Sequence, residues 1–176
     1  MIAALLAFEM FIYSLSILFN QLDLLSPAEA FFIMIGLFMI VYILAPVPDG
    51  DFRPQALGNY LFSCWVGGQR LFAVFWPFFF LLNAAMFSVD WLAKSGLLTV
   101  SSWDDVHFVL LLPILWWTVS IWRCSSHARL RWYGAGARVM TFGVFLEYAL
   151  KLYIRIDYPR LFFDCEELLL DYGSCF

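Results

Sequence analysis

The sequence predicts an all-α integral membrane protein with about five transmembrane helices and no soluble domain. The chain of 176 residues is 64% hydrophobic and 14% charged, whereas soluble domains are about 45–50% apolar and about 25% charged. Its mean hydropathy is +0.83. Five apolar runs approach the length of about 17–25 residues that a helix needs to cross a bilayer. The connections are too short for a further domain, so residues 1–176 are predicted to form one transmembrane domain.

The first two predicted spans are residues 2–19 and 27–45. The first contains one charge, Glu9, and lacks the basic start and small-residue cleavage site of a removable signal peptide. The second follows Ser26, with proline at the next position and Glu29 three residues after the serine. This spacing predicts a capping box, in which the serine and glutamate side chains each accept from the other residue's backbone N–H group.

The middle of the chain predicts two further spans. Three prolines between residues 46 and 54 predict a loop, and an aromatic segment over residues 60–70 is typical of the membrane interface. A span is then predicted over residues 71–92. A polar connection follows, whose Ser102 is predicted to cap a fourth span over residues 106–122.

The last predicted span covers residues 139–156, after a polar loop over residues 123–138 and before an acidic tail over residues 157–176. Six basic residues fall on the N-terminal side of the five spans and four on the other, where Lys151 and Arg155 are expected to snorkel. The positive-inside rule therefore predicts a cytoplasmic N-terminus and an acidic C-terminal tail on the outer side of the membrane.

Two carboxylates near the middle of predicted spans, Glu9 and Glu147, are the candidates for intramembrane chemistry, because a charge in hydrocarbon needs a polar partner or a water-filled cavity. One hypothesis is a proton relay in which they share a proton or pair with Asn83, Thr118 or a partner subunit. The other is that each carboxyl group is protonated or hydrogen-bonded at a helix contact and serves assembly. We expect no Lys, Arg or His beside either carboxylate in the hydrocarbon, and this expectation favours the second hypothesis.

The loop before the last span is predicted to meet the membrane surface. Its arginines alternate with aromatic residues, which is typical of a belt that binds anionic headgroups, although the positive-inside rule alone explains the same charges. A run of small residues over 134–137 predicts close helix packing or a flexible helix start. The residues of the belt are Arg123, Arg129, Arg131, Arg138, Trp122 and Trp132.

The sequence predicts no cofactor, no metal site and no catalytic motif. Cys165 and Cys175 lie close enough in the tail for a disulfide on an oxidising side of the membrane, and four unpaired cysteines are an equal alternative. His107 and His127 are separated by a predicted helix of roughly 25 Å, which excludes them as two ligands of one haem within this chain. The net charge of −4 argues against nucleic-acid binding.

Residues 60–138 contain an aromatic, glycine-containing segment that ends in Phe75-Trp76 and a later turn, Trp122-Arg123-Cys124-Ser125, followed by Trp132. In these motifs the chain resembles small, uncharacterised bacterial inner-membrane proteins. The resemblance implies a bacterial inner membrane, and so a periplasmic C-terminus, and no particular activity.

The expected function is therefore a non-catalytic accessory or assembly subunit of a larger inner-membrane complex. Its expected partners are membrane lipids and other integral membrane subunits. The alternative is a small transporter or proton-conducting component that uses the intramembrane carboxylates. An enzyme is not expected, because no catalytic constellation is compatible with the predicted topology.

Overall fold

A computed structural model describes residues 26–48, 52–54 and 58–157 of the chain. Within these ranges the protein consists of helices and short connections, with no strand. The predicted span 2–19 with Glu9 lies outside the described residues, as does the tail from residue 158 onwards with Cys165 and Cys175.

Three of the described helices are long and apolar enough to cross a membrane, and they overlap the predicted spans 27–45, 71–92 and 106–122. The helix that covers the predicted span 139–156 is also long, but its ionisable residues keep it out of that group. The helices are α1 (Pro27–Leu44), α2 (Tyr60–Val66), α3 (Leu71–Lys94), α4 (Val100–Cys124), a 3-10 turn (Ser125–His127) and α5 (Arg131–Asp157).

The predicted capping box at the start of α1 is confirmed. The Ser26 hydroxyl accepts from the Glu29 backbone N–H at 3.2 Å, and Glu29 Oε2 accepts from the Ser26 backbone N–H at 2.9 Å. Two of the N–H groups that a helix start leaves without an intrahelical partner are thereby satisfied.

Two other predicted helix starts were wrong. Thr99, and not Ser102, caps α4: its hydroxyl accepts from the Ser102 backbone N–H at 3.2 Å. The extra turn buries Val100 and Trp103 completely, which favours the longer helix. Similarly, α5 begins at Arg131 and takes up half of the predicted polar loop 123–138.

The helices pack in alternating directions, which defines two ends of the molecule. α3 and α4 are antiparallel and pack around Trp117, whose ring centroid lies 5.6 Å from that of Phe75. The last turns of α1 pack on α5 through Val41 and Val139. α1 and α4 end, and α5 begins, at the same end of the molecule, which we call the basic end. The other end is called the opposite end.

Close backbone approach at the basic end depends on two glycines. Gly134 of α5 lies against the Ser125 carbonyl, where an added Cβ would stand 2.7 Å from the oxygen. Gly67 ends α2 with φ of 89°, and a Cβ there would stand 3.1 Å from the Cβ of Arg123. The predicted close packing of residues 134–137 is thus realised between α5 and the end of α4.

Candidate functional site

A buried cluster of polar side chains joins three helices near the opposite end of the molecule. α3 contributes a carboxylate, α4 an indole and an imidazole, and α5 a phenol and an ammonium group. We call it the Asp90 cluster; its members are Asp90, Trp103, His107, Tyr148 and Lys151.

Asp90 is the centre of this cluster. Its side chain is paired with the ammonium group of Lys151, which donates to Oδ2. Its Oδ1 accepts from Trp103 Nε1 at 3.0 Å. Lys151 is only 3% exposed and Asp90 only 8%. A buried charge is tolerated when it is paired and hydrogen-bonded, and both conditions are met here.

His107 lies directly beside this ion pair. Its Nδ1 is 3.0 Å from the Trp103 carbonyl oxygen, and its Nε2 is 3.6 Å from Asp90 Oδ1. Tyr148 donates a hydrogen bond of 3.0 Å to the His107 carbonyl oxygen. The imidazole is therefore held between the three helices, with one nitrogen facing the carboxylate.

A second ion pair lies one turn further along α5. Arg155 donates to both carboxylate oxygens of Asp104 in α4, at 3.3 and 3.2 Å. The side chains of Arg155 and Asp104 are 18% and 44% exposed, so this pair sits at the surface. The two pairs together connect α5 to α3 and to α4.

Glu147 is buried, and it lies one helical turn before Lys151 on the same side of α5. The expectation that Lys151 snorkels was wrong, because its ammonium group is buried and paired with Asp90. Asn83 donates to the Phe79 carbonyl of its own helix at 2.7 Å.

Sequence reasoning missed Asp90 and Lys151 as site residues. Both fall inside predicted spans, 71–92 and 139–156, so the rule that singled out Glu147 applied to them as well. Both lie near the ends of those spans, where charged residues ordinarily reach water, and Lys151 was therefore expected to snorkel. The signal was one carboxylate and one ammonium group at corresponding ends of neighbouring helices.

Three of the predicted belt arginines bind backbone groups of the protein itself. Each stabilises the end of a helix whose last carbonyls have no intrahelical donor. Arg123 donates to the Trp65 carbonyl at 2.6 Å. Arg131 donates to the carbonyls of Ile43 and Ala45 at 2.8 and 3.0 Å.

Arg138 donates to the Ser125 hydroxyl at 2.8 Å and to the Trp122 carbonyl at 3.3 Å. Its guanidinium also lies over the Trp122 ring, 4.8 Å from the centroid. Arg129 and Trp132 are exposed at the same end. Binding of lipid headgroups by this belt stays a prediction, and its exposed members are those available for it.

The cysteines and histidines of the described residues form no cluster with a metal-binding arrangement. Cys64 and Cys124 are both free and buried, and burial raises the pKa of the Cys64 thiol. His107 and His127 stand near opposite ends of α4 and its 3-10 turn, and the His127 ring stacks on Phe52 with centroids 3.5 Å apart.

No family model, curated protein or solved structure matches this chain.

Proposed function

We propose that the protein is a non-catalytic accessory or assembly subunit of a larger bacterial inner-membrane complex. The observation that carries this proposal is the pairing of two buried charges, Asp90 and Lys151, with each other. Asp90 and Lys151 neutralise each other between α3 and α5, and Arg131 is committed to the end of α1. Polar groups used in this way hold helices together.

The exposed face of α1 supports an assembly role. Only 6% of the residues in its apolar stretch are buried, against 22% in α3 and 28% in α4. Phe32 and Ile43 are 70% and 67% exposed. This face is open to lipid or to a helix of another subunit.

The proposed arrangement has five spans, α5 included, and a cytoplasmic basic end. Arg123, Arg131 and Arg138 lie together there through their contacts with α1, α2 and α4. At the opposite end the two basic side chains are paired with carboxylates: Lys151 with Asp90, and Arg155 with Asp104. This distribution of charge supports the orientation expected from the positive-inside rule.

Affinity purification in mild detergent, followed by mass spectrometry, tests the assembly role. We expect other integral membrane proteins to co-purify in stoichiometric amounts, and a clean homo-oligomer would contradict the proposal. Phe32→Ala is expected to weaken co-purification. Phe72→Ala on α3 is its control, because Phe72 is 75% exposed and therefore similar in exposure. An equal loss in both variants would reject α1 as the contact.

A small proton-conducting or transport component is the second candidate, favoured by the ionisable groups that α3, α4 and α5 bury: Asp90, His107, Glu147 and Lys151. Glu9 and Glu147 are the carboxylates proposed to carry this activity. The test is proton flux in liposomes, comparing the wild-type protein with the Glu9→Gln and Glu147→Gln variants. Flux that survives both replacements would reject this candidate.

A further inference from the structure

The protonation form of His107 follows from its hydrogen bond to the backbone. Nδ1 lies 3.0 Å from the carbonyl oxygen of Trp103, and a carbonyl oxygen accepts hydrogen bonds but never donates them. Nδ1 must therefore carry a proton. In the neutral imidazole only one nitrogen is protonated, so Nε2 then presents a lone pair.

That lone pair faces another acceptor. Nε2 is buried, has no hydrogen-bond partner and lies 3.6 Å from Asp90 Oδ1. His107 is 1% exposed, so solvent does not screen the repulsion between the two acceptors as it would at the protein surface. Two acceptors opposed in a dry environment repel, whereas one proton between them converts the contact into a charge-assisted hydrogen bond.

We propose that His107 Nε2 and Asp90 Oδ1 form a binding site for a single proton inside the helix bundle. The proton comes from a hydronium ion of the bulk solvent: one O–H bond of the hydronium breaks, a neutral water molecule is left, and the new N–H bond uses the Nε2 lone pair. The imidazole becomes an imidazolium, and the Nε2–H group donates to Asp90 Oδ1. Asp90, His107 and Lys151 together gain one positive charge.

The surroundings are suited to this step. A charge-assisted N–H···O bond spans about 2.8 Å, so a separation of 3.6 Å must close by about 0.8 Å. Oδ1 has capacity for this second donor beside Trp103, because a carboxylate oxygen has two lone pairs. Tyr148 holds the His107 carbonyl and so keeps the ring in register with α5.

Charged and titratable groups from all three packed helices bear on the proton. The carboxylates of Asp90 and Asp104 favour it, and the ammonium group of Lys151 opposes it. Burial of the imidazole opposes its charged form, and among the charged groups Asp90 acts most strongly, since its Oδ1 lies 3.6 Å from Nε2. The full set is Asp90 from α3, Asp104 from α4, and Glu147, Tyr148, Lys151 and Arg155 from α5.

Nitrogen NMR of the full-length protein in detergent tests the site directly. The chain has 2 histidines, so His127→Gln leaves His107 as the only imidazole in ¹⁵N-histidine-labelled protein. We expect the neutral form to carry its proton on Nδ1, and the imidazolium to replace it as the pH falls from 9 to 5. A neutral form protonated on Nε2, or a ring that stays neutral throughout, would overturn the proposal.

Two matched variants in the same background identify the partner. Asp90→Asn is expected to lower the ratio of imidazolium to imidazole at pH 6 on the order of tenfold, because it removes the facing charge. Asp104→Asn removes a carboxylate that is 44% exposed and is expected to change the ratio much less. Equal effects would overturn the assignment to Asp90. If Asp90→Asn does not fold, the pH series of the His127→Gln protein still decides whether the proton binds.

Discussion

Replacing Lys151 by methionine is the most direct test of the buried ion pair. Methionine keeps the length and apolar character of the lysine stem but removes the ammonium group, which leaves Asp90 charged and almost completely buried. Removing one partner of a buried ion pair costs about 3–5 kcal/mol. We expect a loss of free energy of unfolding at the lower end of that range, because Trp103 still donates to the carboxylate.

The same helix offers a control for this variant. Arg155→Met removes the other ion pair of α5, whose side chains are 18% and 44% exposed, against 3% and 11% for Lys151 and Asp90. Exposed pairs contribute about 0–1 kcal/mol. Each variant removes one positive charge from α5, at positions one turn apart. A difference in stability between them therefore reports the effect of burial rather than of charge alone.

The assay is reversible unfolding in mixed detergent micelles, followed by circular dichroism and tryptophan fluorescence. The double variant Asp90→Asn with Lys151→Met is expected to recover most of the loss, because it removes the unpaired charge and keeps an oxygen that accepts from Trp103. The reasoning would be refuted by an Arg155→Met variant as unstable as Lys151→Met, or by a double variant whose loss is the sum of the single losses.

Three further predictions concern other parts of the molecule. Gly134→Ala is expected to lower the free energy of unfolding by about 1–3 kcal/mol, since its Cβ would stand 2.7 Å from a backbone oxygen. Gly136→Ala has open space around the new Cβ and is expected to raise it in the same unfolding assay. The reverse order of stability would contradict the close contact at Gly134. Arg131→Met is expected to speed hydrogen exchange in the last turn of α1 on the order of tenfold, with the exposed Arg129→Met as an unaffected control. Cys64 is expected to react slowly with maleimide in the native protein, and faster as the pH rises, because burial raises the pKa of its thiol. Rapid labelling of Cys64 at pH 7 without denaturant would contradict this burial.

The local features of the fold could be predicted from the sequence. The start of α1 was confirmed because a capping box depends on residues only three positions apart. The apolar character of α1, α3 and α4 was confirmed because about 20 residues of composition suffice to indicate a possible span. Both signals are contained within a single helix.

The start of α5 could not be predicted in this way, because its first turns depend on other helices. Hydropathy predicts a loop at Arg131 and Arg138. In the structure each arginine donates to backbone carbonyls at the end of a different helix. Gly134 is a poor helix former in isolation and is helical here because it fits against the Ser125 carbonyl. The competing influence in each case was a tertiary contact.

The Asp90 cluster shows the same limit for the candidate site. Asp90 and Lys151 are 61 positions apart, and no pattern within one predicted span indicates which residue of another span its charge meets. Their pairing also explains why α5 differs from the other long helices: its charges at Glu147 and Lys151 face the bundle and lower its average hydropathy. If α5 crosses the membrane as proposed, Lys151 enters the hydrocarbon region as half of an ion pair, and insertion of α5 depends on α3 being in place. Two of the residues that make α5 the least apolar of the four long helices, Lys151 and Arg155, are therefore those that attach it to α3 and α4.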